Sequence, residues 1–319
     1  MHPASSVGEL TIAKRTLVMG IVNVTKDSFS DGGRWLDFDA ATTHARELVE
    51  QGADMIDVGG ESTRPGAVRV EAQEEADRVV PVIQALHEQG IRTSVDTMRA
   101  SVAAAAAAAG VDMINDVSGG LADPEMYAAM ADAGVPVCLM HWRTLQEGAF
   151  GSAAGTADHG GDVVRDVHET LTRLSQNALD AGVKRENIVL DPGLGFAKSP
   201  QDNWALLQAL PEFLDGEFPI LVGASRKRFL AAIRADRGVE ASPLLADPAT
   251  AAVTAISAQM GAWGVRVHEV GVSRDAVDVA AAWNAGESYV GGANATGSYR
   301  NAATGTGTVT STAMGTERN

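Results

Sequence analysis

Short apolar runs alternate along this chain with longer, alanine-rich amphipathic stretches. The runs are rich in Val, Ile, Leu and Met, a composition typical of strands that are buried on both faces of a sheet. They predict strands at residues 17–22, 54–58, 92–95, 112–115, 135–140, 187–190, 219–222 and 264–267. The segments between them predict helices, for example at residues 38–51, 71–89, 99–109, 124–133, 162–181 and 247–260.

This order of elements is a strand followed by a helix, repeated eight times. Such alternation implies a parallel sheet, and eight units are the number that closes a barrel. An open, doubly wound sheet is the alternative, but no G-x-G-x-x-G follows the first strand and polar residues follow nearly all the strands. We therefore predict an α/β fold, a (β/α)8 TIM barrel in a single domain.

The two ends of the chain differ in composition from the body. From Gly286 onward the sequence is dominated by Gly, Thr, Ser, Ala and Asn without apolar periodicity, so it cannot bury enough surface to offset the entropy of ordering. We expect a flexible N-terminus at residues 1–10, disordered over residues 1–8, a barrel domain at residues 11–287 and a disordered tail at residues 288–319.

Charge and cysteine content narrow the class of partner. The net charge is −16 and the isoelectric point is about 4.8, which argues against a nucleic-acid or anionic-membrane binder and favours small-molecule partners. Cys138, the single cysteine, lies in an apolar run and is expected to be a buried, inert thiol. The start of the chain lacks the pattern of a signal peptide and no apolar stretch approaches membrane-spanning length, so we expect a soluble, cytoplasmic protein.

The segment I-V-L-D-P-G-L-G-F-A-K (188–198) contains the most informative carboxylate. Asp191 follows a buried strand, and Pro192 and Gly193 stop the chain from continuing as a helix. A carboxylate at such a position is costly to bury unless it is paired or hydrogen-bonded, and a planar pair of donors on a ligand would satisfy it. The alternative is that Asp191 only caps the next helix.

Polar side chains follow every predicted strand, and in a barrel all of them would converge on one rim. In chain order they are Asn23; Asp57 and Glu61; Asp96; Asn115 and Asp116; His141; Asp191; Ser225, Lys227 and Arg228; and Arg266 and His268. Each one alone could cap a helix. Together, carboxylates and amides from the first six strands suit a flat heterocycle with ring donors, and cations after strands seven and eight suit a phosphate. Arg226 and Arg228 are equally well explained as a solvated helix start, whereas Lys227 between them is the better candidate.

Five motifs together resemble the dihydropteroate synthase family. They are G-I-V-N-V-T-K-D-S-F-S-D-G-G, D-V-G-G-E-S-T-R-P-G-A, D-M-I-N-D-V-S-G-G, D-P-G-L-G-F-A-K and V-G-A-S-R-K-R-F-L, and the resemblance extends over residues 18–287. Members of this family join 4-aminobenzoate to 6-hydroxymethyl-7,8-dihydropterin diphosphate and release pyrophosphate. The resemblance thus implies a transferase of folate biosynthesis that is a sulfonamide target.

The resemblance also implies a role for individual residues. The pterin would be bound by Asp96, Asn115, Asp191 and Lys227, the Mg²⁺ ion by Asn23, and the pyrophosphate by Arg64, Arg266 and His268. The aminobenzoate pocket would be formed by Phe29, Thr63, Pro65, Phe196, Ser225 and Lys227. Asp31 would face the reacting carbon, and the catalytic set would be Asp31, Asp96 and Lys227. Loss of pyrophosphate would be dissociative, because the leaving-group charge is neutralised and the electron-rich ring stabilises a cation. The first two loops would close as lids, and the protein would be a homodimer.

The sequence departs from the family pattern at two places. Lys26 replaces a proline that is frequent in the family, and the Gly-Thr tail lies outside its pattern.

Three other functions are alternatives to this interpretation. A Schiff-base aldolase could use Lys227, and borohydride trapping would reveal it. A pterin-dependent methyltransferase would have less use for the basic groups, and a binding-only paralogue would hold a pterin without turnover; assays of methyl transfer and of pyrophosphate release separate these alternatives.

Overall fold

The computed structural model describes residues 2–25, 33–61, 70–143 and 157–288. Within these residues eight strands are present, and each lies where a strand was predicted. They are β1 (Leu17–Asn23), β2 (Met55–Gly59), β3 (Thr93–Asp96), β4 (Met113–Asp116), β5 (Val137–Met140), β6 (Ile188–Asp191), β7 (Leu221–Val222) and β8 (Gly264–Val267).

The strands form one parallel sheet that closes on itself. Its order is β6-β5-β4-β3-β2-β1-β8-β7, and the neighbouring strands in this order run parallel. A single bridge between Leu190 and Ile220 joins the two outer strands. The predicted (β/α)8 barrel is therefore confirmed, and the doubly wound alternative is excluded.

Helices connect the strands, and one short helix precedes the first strand. They are α1 (Val7–Leu10), α2 (Gly33–Glu50), α3 (Ala72–Glu88), α4 (Ala100–Ala108), α5 (Met126–Ala133), α6 (Val163–Asp180), α7 (Pro200–Gln208), α8 (Leu210–Leu214), α9 (Arg228–Asp236), α10 (Asp247–Met260) and α11 (Val270–Ala285). Helix α6 illustrates why these segments are helical. It buries an apolar residue every three or four positions, namely Val163, Val167, Leu171, Leu174 and Ala178. The side chain of Asp162 caps its first turn.

The barrel interior consists of alternate residues of the strands. Its apolar layer includes Leu17, Met19, Met55, Met113, Cys138, Val189 and Leu221, all buried. Because side chains alternate along a strand, the residues two positions further, such as Asp57, Asn115 and Asp191, point into the same interior, nearer its carboxyl end. The polar site is therefore the next layer of the barrel. Cys138 is buried in the apolar layer, as predicted, and burial raises the pKa of its thiol well above the usual value.

The N-terminus belongs to the fold, which corrects the expectation that it is flexible. Ala4, Val7 and Leu10 are buried and pack with the apolar layer of the barrel interior, and the backbone N–H of Ala4 donates to Asp112 at 3.1 Å. These three residues recur every third position, a pattern too short to be distinguished from coil in the sequence. These side chains are buried because they cover the open amino-terminal end of the barrel.

The described residues up to Asn284 form one compact unit, and residues 285–288 belong to a second. In the second unit α11 ends and a 3-10 turn follows at Gly286–Ser288. The predicted tail beyond Ser288 lies outside the described residues. None of the helices in the described part of the chain is long and apolar enough to span a membrane.

Candidate active site

The strand register places three predicted site residues in one row at the carboxyl rim. Asn23 pairs with Gly59, Gly59 with Asp96, and Asp96 with Asn115. Gly59 has no side chain, and a Cβ there would lie 3.6 Å from Oδ1 of Asn23 and 3.8 Å from Oδ2 of Asp96. The row therefore leaves a space between an amide oxygen and a carboxylate oxygen.

Below this row, one guanidinium joins two carboxylates. Arg266 donates from Nε to Asp57 Oδ2 at 2.6 Å and from a terminal nitrogen to Asp96 Oδ2 at 2.7 Å. Asn115 Nδ2 donates to the same oxygen of Asp57 at 3.2 Å, and Asp57 Oδ1 has no hydrogen-bond partner among the described residues. Four strands thus contribute to one polar network inside the barrel.

The network perturbs the acidity of its members. Burial raises the pKa of Asp96 to about 7, and Arg266 only partly opposes this effect. Burial also acts against the charged form of Arg266, but Asp57 and Asp96 outweigh it and raise the pKa of the guanidinium. A carboxyl group that titrates near neutrality in a cleft can exchange hydrogen bonds with a ligand as a donor or as an acceptor.

Asp191 presents one carboxylate oxygen toward the interior. Its Oδ1 accepts from the backbone N–H of Gly193 at 2.7 Å, while Oδ2 lies beside Gly223, where a Cβ would approach it to 3.2 Å. Burial raises the pKa of this carboxyl group, and Lys227 works in the opposite direction. The helix-cap alternative is not supported, because α7 is capped by Ser199 in a capping box with Asp202.

Lys227 lies against the loop that follows Asp191. Its ammonium group donates to the carbonyl of Leu194 and lies 4.3 Å from the centre of the Phe196 ring. Gly195 has a φ of 77°, and a side chain there would overlap the stem of Lys227. Burial lowers the pKa of Lys227 to about 8, against the effect of Asp191.

Ser225 and His268 form a pair between the ends of β7 and β8. The Ser225 hydroxyl lies 3.0 Å from His268 Nδ1 and accepts from the backbone N–H of His268 at 3.1 Å. Nearby, Arg226 makes a two-point ion pair with Asp247 at 2.8 Å, and Arg228 is exposed. Of the three basic residues in this segment, only Lys227 therefore points into the site.

An apolar wall completes the rim. Met98, Val117, Met140 and Trp142 are buried together, and the partly buried Phe196 packs against them. Sequence reasoning did not single out Met98 and Trp142, yet each lies two residues beyond an inward-pointing strand residue, Asp96 or Met140. Extending the alternation past the strand ends would have found both.

Three polar residues predicted at the rim have structural partners. Asp116 accepts from the Ser118 hydroxyl and from two backbone N–H groups of its own turn, Glu61 pairs with Arg99 at 2.9 Å, and His141 contacts Lys198 at 2.9 Å. Five further predicted site residues, Phe29, Asp31, Thr63, Arg64 and Pro65, lie outside the described residues.

Known proteins are similar to this chain over most of its length. The family described as pterin binding enzyme matches residues 19–268. The chain is 50% identical over 267 residues to the dihydropteroate synthase of Mycobacterium leprae, covering 83% of this chain and 93% of that protein. This chain belongs to the dihydropteroate synthase family. A second family member, the dihydropteroate synthase of Bacillus subtilis, is 42% identical over 262 residues, covering 82% and 86% of the two chains.

Solved structures of dihydropteroate synthases have the same fold. The enzyme of Xanthomonas albilineans with 4-aminobenzoic acid superposes with a TM-score of 0.75 at 43% identity, covering 85% of this chain and 93% of that one. The same enzyme in complex with 7,8-dihydropteroate gives 0.72 at 40% identity, with the same coverage. The family and the enzyme class predicted from the sequence, a transferase of folate biosynthesis, are confirmed.

Proposed function

We propose that this protein condenses 4-aminobenzoate with (7,8-dihydropterin-6-yl)methyl diphosphate to give 7,8-dihydropteroate and pyrophosphate. The observation that carries the proposal is the polarised barrel mouth. Carboxylate and amide groups from β2, β3, β4 and β6 lie at one side of an apolar wall, with Lys227, Arg266 and the Ser225–His268 pair beside them. A flat heterocycle carrying an anionic leaving group matches both halves.

The pterin would lie against the carboxylates. The ring N–H and the amino group of a pterin form a planar donor pair, and Asp191 offers Oδ2 to such a pair while Gly193 holds Oδ1. Asp96 and Asn115 would meet the opposite edge of the ring, and the wall of Met98, Met140 and Trp142 would bury its face. Lys227 would add a cation near the ring and the same carboxylate.

The diphosphate would lie toward β8. Arg266 on β8 supplies a guanidinium, and His268, just beyond the end of that strand, supplies an imidazole; both are partly exposed. Because Arg266 already pairs with Asp57 and Asp96, binding of a diphosphate would require it to share or exchange these contacts. Arg64 remains a sequence prediction for the same role.

Asn23 fits the Mg²⁺ ion that the family uses. Mg²⁺ prefers oxygen ligands and is usually held by one or two protein oxygens together with phosphate oxygens and water. The amide oxygen of Asn23 adjoins the space left by Gly59, which suits one such contact. The ion would neutralise charge on the leaving diphosphate.

The residues of the chain favour a dissociative reaction. As the carbon–oxygen bond to the diphosphate breaks, positive charge develops on the pterin methylene, and the buried Asp96 and Asp191 carboxylates provide a stabilising field. The arylamine then attacks the methylene carbon and loses its proton. No strong base is required, because an arylamine is nucleophilic at neutral pH. Phe196 would pack on the aminobenzoate ring beside Lys227 and Ser225, and Asp31 stays a sequence prediction for a group facing the reacting carbon.

A homodimer is the second part of the proposal. Helices α10 and α11 expose Ile256, Met260, Val279 and Trp283, the last of them 74% accessible, and Asn284 ties the two helix ends together by donating to the carbonyl of Gln259. Exposed apolar stripes on neighbouring helices support a protein contact. Light scattering should give twice the chain mass, and Trp283→Glu should shift the protein toward monomer; a monomeric parent would refute this part.

Pyrophosphate release tests the reaction directly. Purified protein mixed with the pterin diphosphate and Mg²⁺ should release pyrophosphate much faster when 4-aminobenzoate is added, and a sulfonamide should compete with the aminobenzoate. Pterin binding without release would instead indicate a binding-only paralogue. Methyl transfer from a methylfolate, without pyrophosphate release, would indicate the methyltransferase alternative.

A further inference from the structure

Lys198 lies beneath the loop that links β6 to α7 and is buried. Its ammonium group contacts three acceptors: the carbonyl of Gly193 at 2.9 Å, the carbonyl of Phe196 at 3.2 Å and Nδ1 of His141 at 2.9 Å. An ammonium group has three N–H donors, so each one has a partner. Few positions in a barrel justify the cost of burying a lysine in this way.

The loop that Lys198 contacts has one backbone hydrogen bond of its own, from the Phe196 N–H to the Gly193 carbonyl at 3.2 Å. Gly193, Gly195 and Ala197 all have positive φ, at 72°, 77° and 50°, and a side chain at Gly193 would overlap the carbonyl of His141. Glycine adopts such a φ without strain, but alanine does not, so the loop around Ala197 depends on contacts from outside it. Lys198 supplies two of them.

We propose that Lys198 is a positioning residue for the aminobenzoate site, acting through the loop of residues 192–197. It holds the Phe196 carbonyl and so places the Phe196 ring beneath the Lys227 ammonium. It also holds Gly193, whose N–H orients the Asp191 carboxylate. Lys227 donates to the Leu194 carbonyl of the same loop, so two lysines hold one loop. This inference rests on the proposed function.

The surrounding residues support Lys198 from the side of α6. His159 bridges the carbonyl of Ala197 at 3.1 Å and Asp166 at 2.7 Å, and the backbone N–H of Ala157 donates to the same Ala197 carbonyl at 2.8 Å. Burial lowers the pKa of Lys198 to about 7. The neutral amine would still donate to both loop carbonyls and accept from His141, so the positioning contacts persist in either state.

A metal site is the alternative role for this neighbourhood. His141, His159 and Asp166 place one ligand atom each within 4.8 Å of one another, and His141 Nε2 lacks a hydrogen bond among the described residues. However, Arg143 already pairs with Asp166 and Lys198 contacts His141. The Arg143 guanidinium beside these ligands opposes a divalent cation there, so we assign the group to support of the loop.

Steady-state kinetics on Lys198→Met tests the proposal, because methionine keeps the apolar stem and removes the donors. The KM for 4-aminobenzoate should rise roughly ten- to hundred-fold, the cost of misplacing a site by about 1 Å, while kcat changes less. A residue that only stabilised the fold would lower the active fraction, and hence the apparent kcat, without moving KM. A KM within twofold of the parent would overturn the proposal.

Lys184→Met is the control for this experiment, and Lys198→Arg is a second variant. Lys184→Met removes an exposed lysine and should leave both constants unchanged. If Lys198→Met does not fold, Lys198→Arg keeps the charge, but its planar fork cannot meet three converging acceptors, so the same rise in KM is expected. If neither folds, the residue serves the fold as a whole and the proposal fails. An inactive parent would instead refute the proposed function.

Discussion

Arg266 Nε lies 2.6 Å from Oδ2 of Asp57, a carboxylate with no exposed surface, and the same guanidinium reaches Asp96. The family resemblance implies that Arg266 binds pyrophosphate. The structure pairs Asp247 with Arg226 and directs Arg266 inward. Its guanidinium therefore neutralises buried carboxylates before any anion arrives.

This pairing predicts strong coupling between the two residues. Arg266→Ala should lower the free energy of unfolding by about 3–5 kcal/mol, because it leaves Asp57 and Asp96 buried without their cation. In the Asp57→Asn/Arg266→Ala double variant the loss should be smaller than the sum of the single losses by about 1–3 kcal/mol. Urea unfolding of the four proteins measures both values. Arg165→Ala, which breaks an exposed pair, should cost below about 0.5 kcal/mol; additive losses would show that Asp57 and Arg266 do not interact.

Arg266 should also distinguish between ligands. If it binds the diphosphate, Arg266→Ala should weaken the pterin diphosphate by about 1.5–3 kcal/mol more than the pterin alcohol, since only the former loses a charge-assisted contact. Calorimetry with Mg²⁺ present compares the two ligands on parent and variant. Equal weakening of both would place Arg266 in the scaffold and not in the anion site.

Asp191→Asn should lose most pterin affinity. An amide keeps one acceptor oxygen, but it replaces the carboxylate that Gly193 holds and the donors of the pterin require. The expected loss is about 1.5–3 kcal/mol, roughly ten- to hundred-fold in Kd, measured by calorimetry. Asp215→Asn, at an exposed helix end, is the matched control. Near-normal affinity in Asp191→Asn would remove the residue from the site.

The two lysines at the site, Lys198 and Lys227, predict a rise in stability with pH. The pKa of Lys198 is lowered to about 7 and that of Lys227 to about 8, against about 10.4 in an unfolded chain. Between the folded-state pKa and about pH 10.4 the unfolded chain binds more protons than the folded protein does. The resulting stabilisation is therefore complete above about pH 10.4, decreases as the pH falls and is lost as the pH passes through the folded-state pKa. Each lysine adds at most about 1.4 kcal/mol per pH unit in that window.

Unfolding of the parent and Lys198→Met at pH 7 and pH 9 tests this linkage. Titrating groups far from Lys198 contribute equally to both proteins, so the difference between the two reports Lys198 and the groups it contacts. The variant should gain less stability than the parent between the two pH values. Parallel pH profiles would show that Lys198 titrates normally in the folded protein.

The N-terminal residues should contribute to stability. Leu10→Ala removes a buried side chain from the cluster that closes the amino-terminal end of the barrel and should cost about 2–5 kcal/mol. Leu244→Ala, at a side chain that is 70% exposed, is the control and should be nearly neutral. Thermal unfolding compares the two variants. A Leu10→Ala protein as stable as the control would restore the expectation of a flexible N-terminus.

The sequence alone determined the barrel, its strand positions and the chemistry of its rim. A strand buried on both faces reads as a continuous apolar run, and the polar residue that ends it is visible because it interrupts that run, as Asp191 does after Ile188–Leu190. Local patterns of this kind require no knowledge of the partner strand. The family motifs then connected these rim residues to a pterin and a diphosphate.

Only the tertiary structure decided which of these polar residues face one another. Strand register places Arg266 beside Asp57 and Asp96, although 209 and 170 residues separate them in the chain, and no local pattern encodes such a contact. The same holds for Lys198, which appears in the sequence as the last letter of a motif and in the structure as a buried donor to three acceptors. It holds too for Ala4, Val7 and Leu10, since an apolar side chain near a terminus is buried only if another part of the fold presents a surface for it to cover.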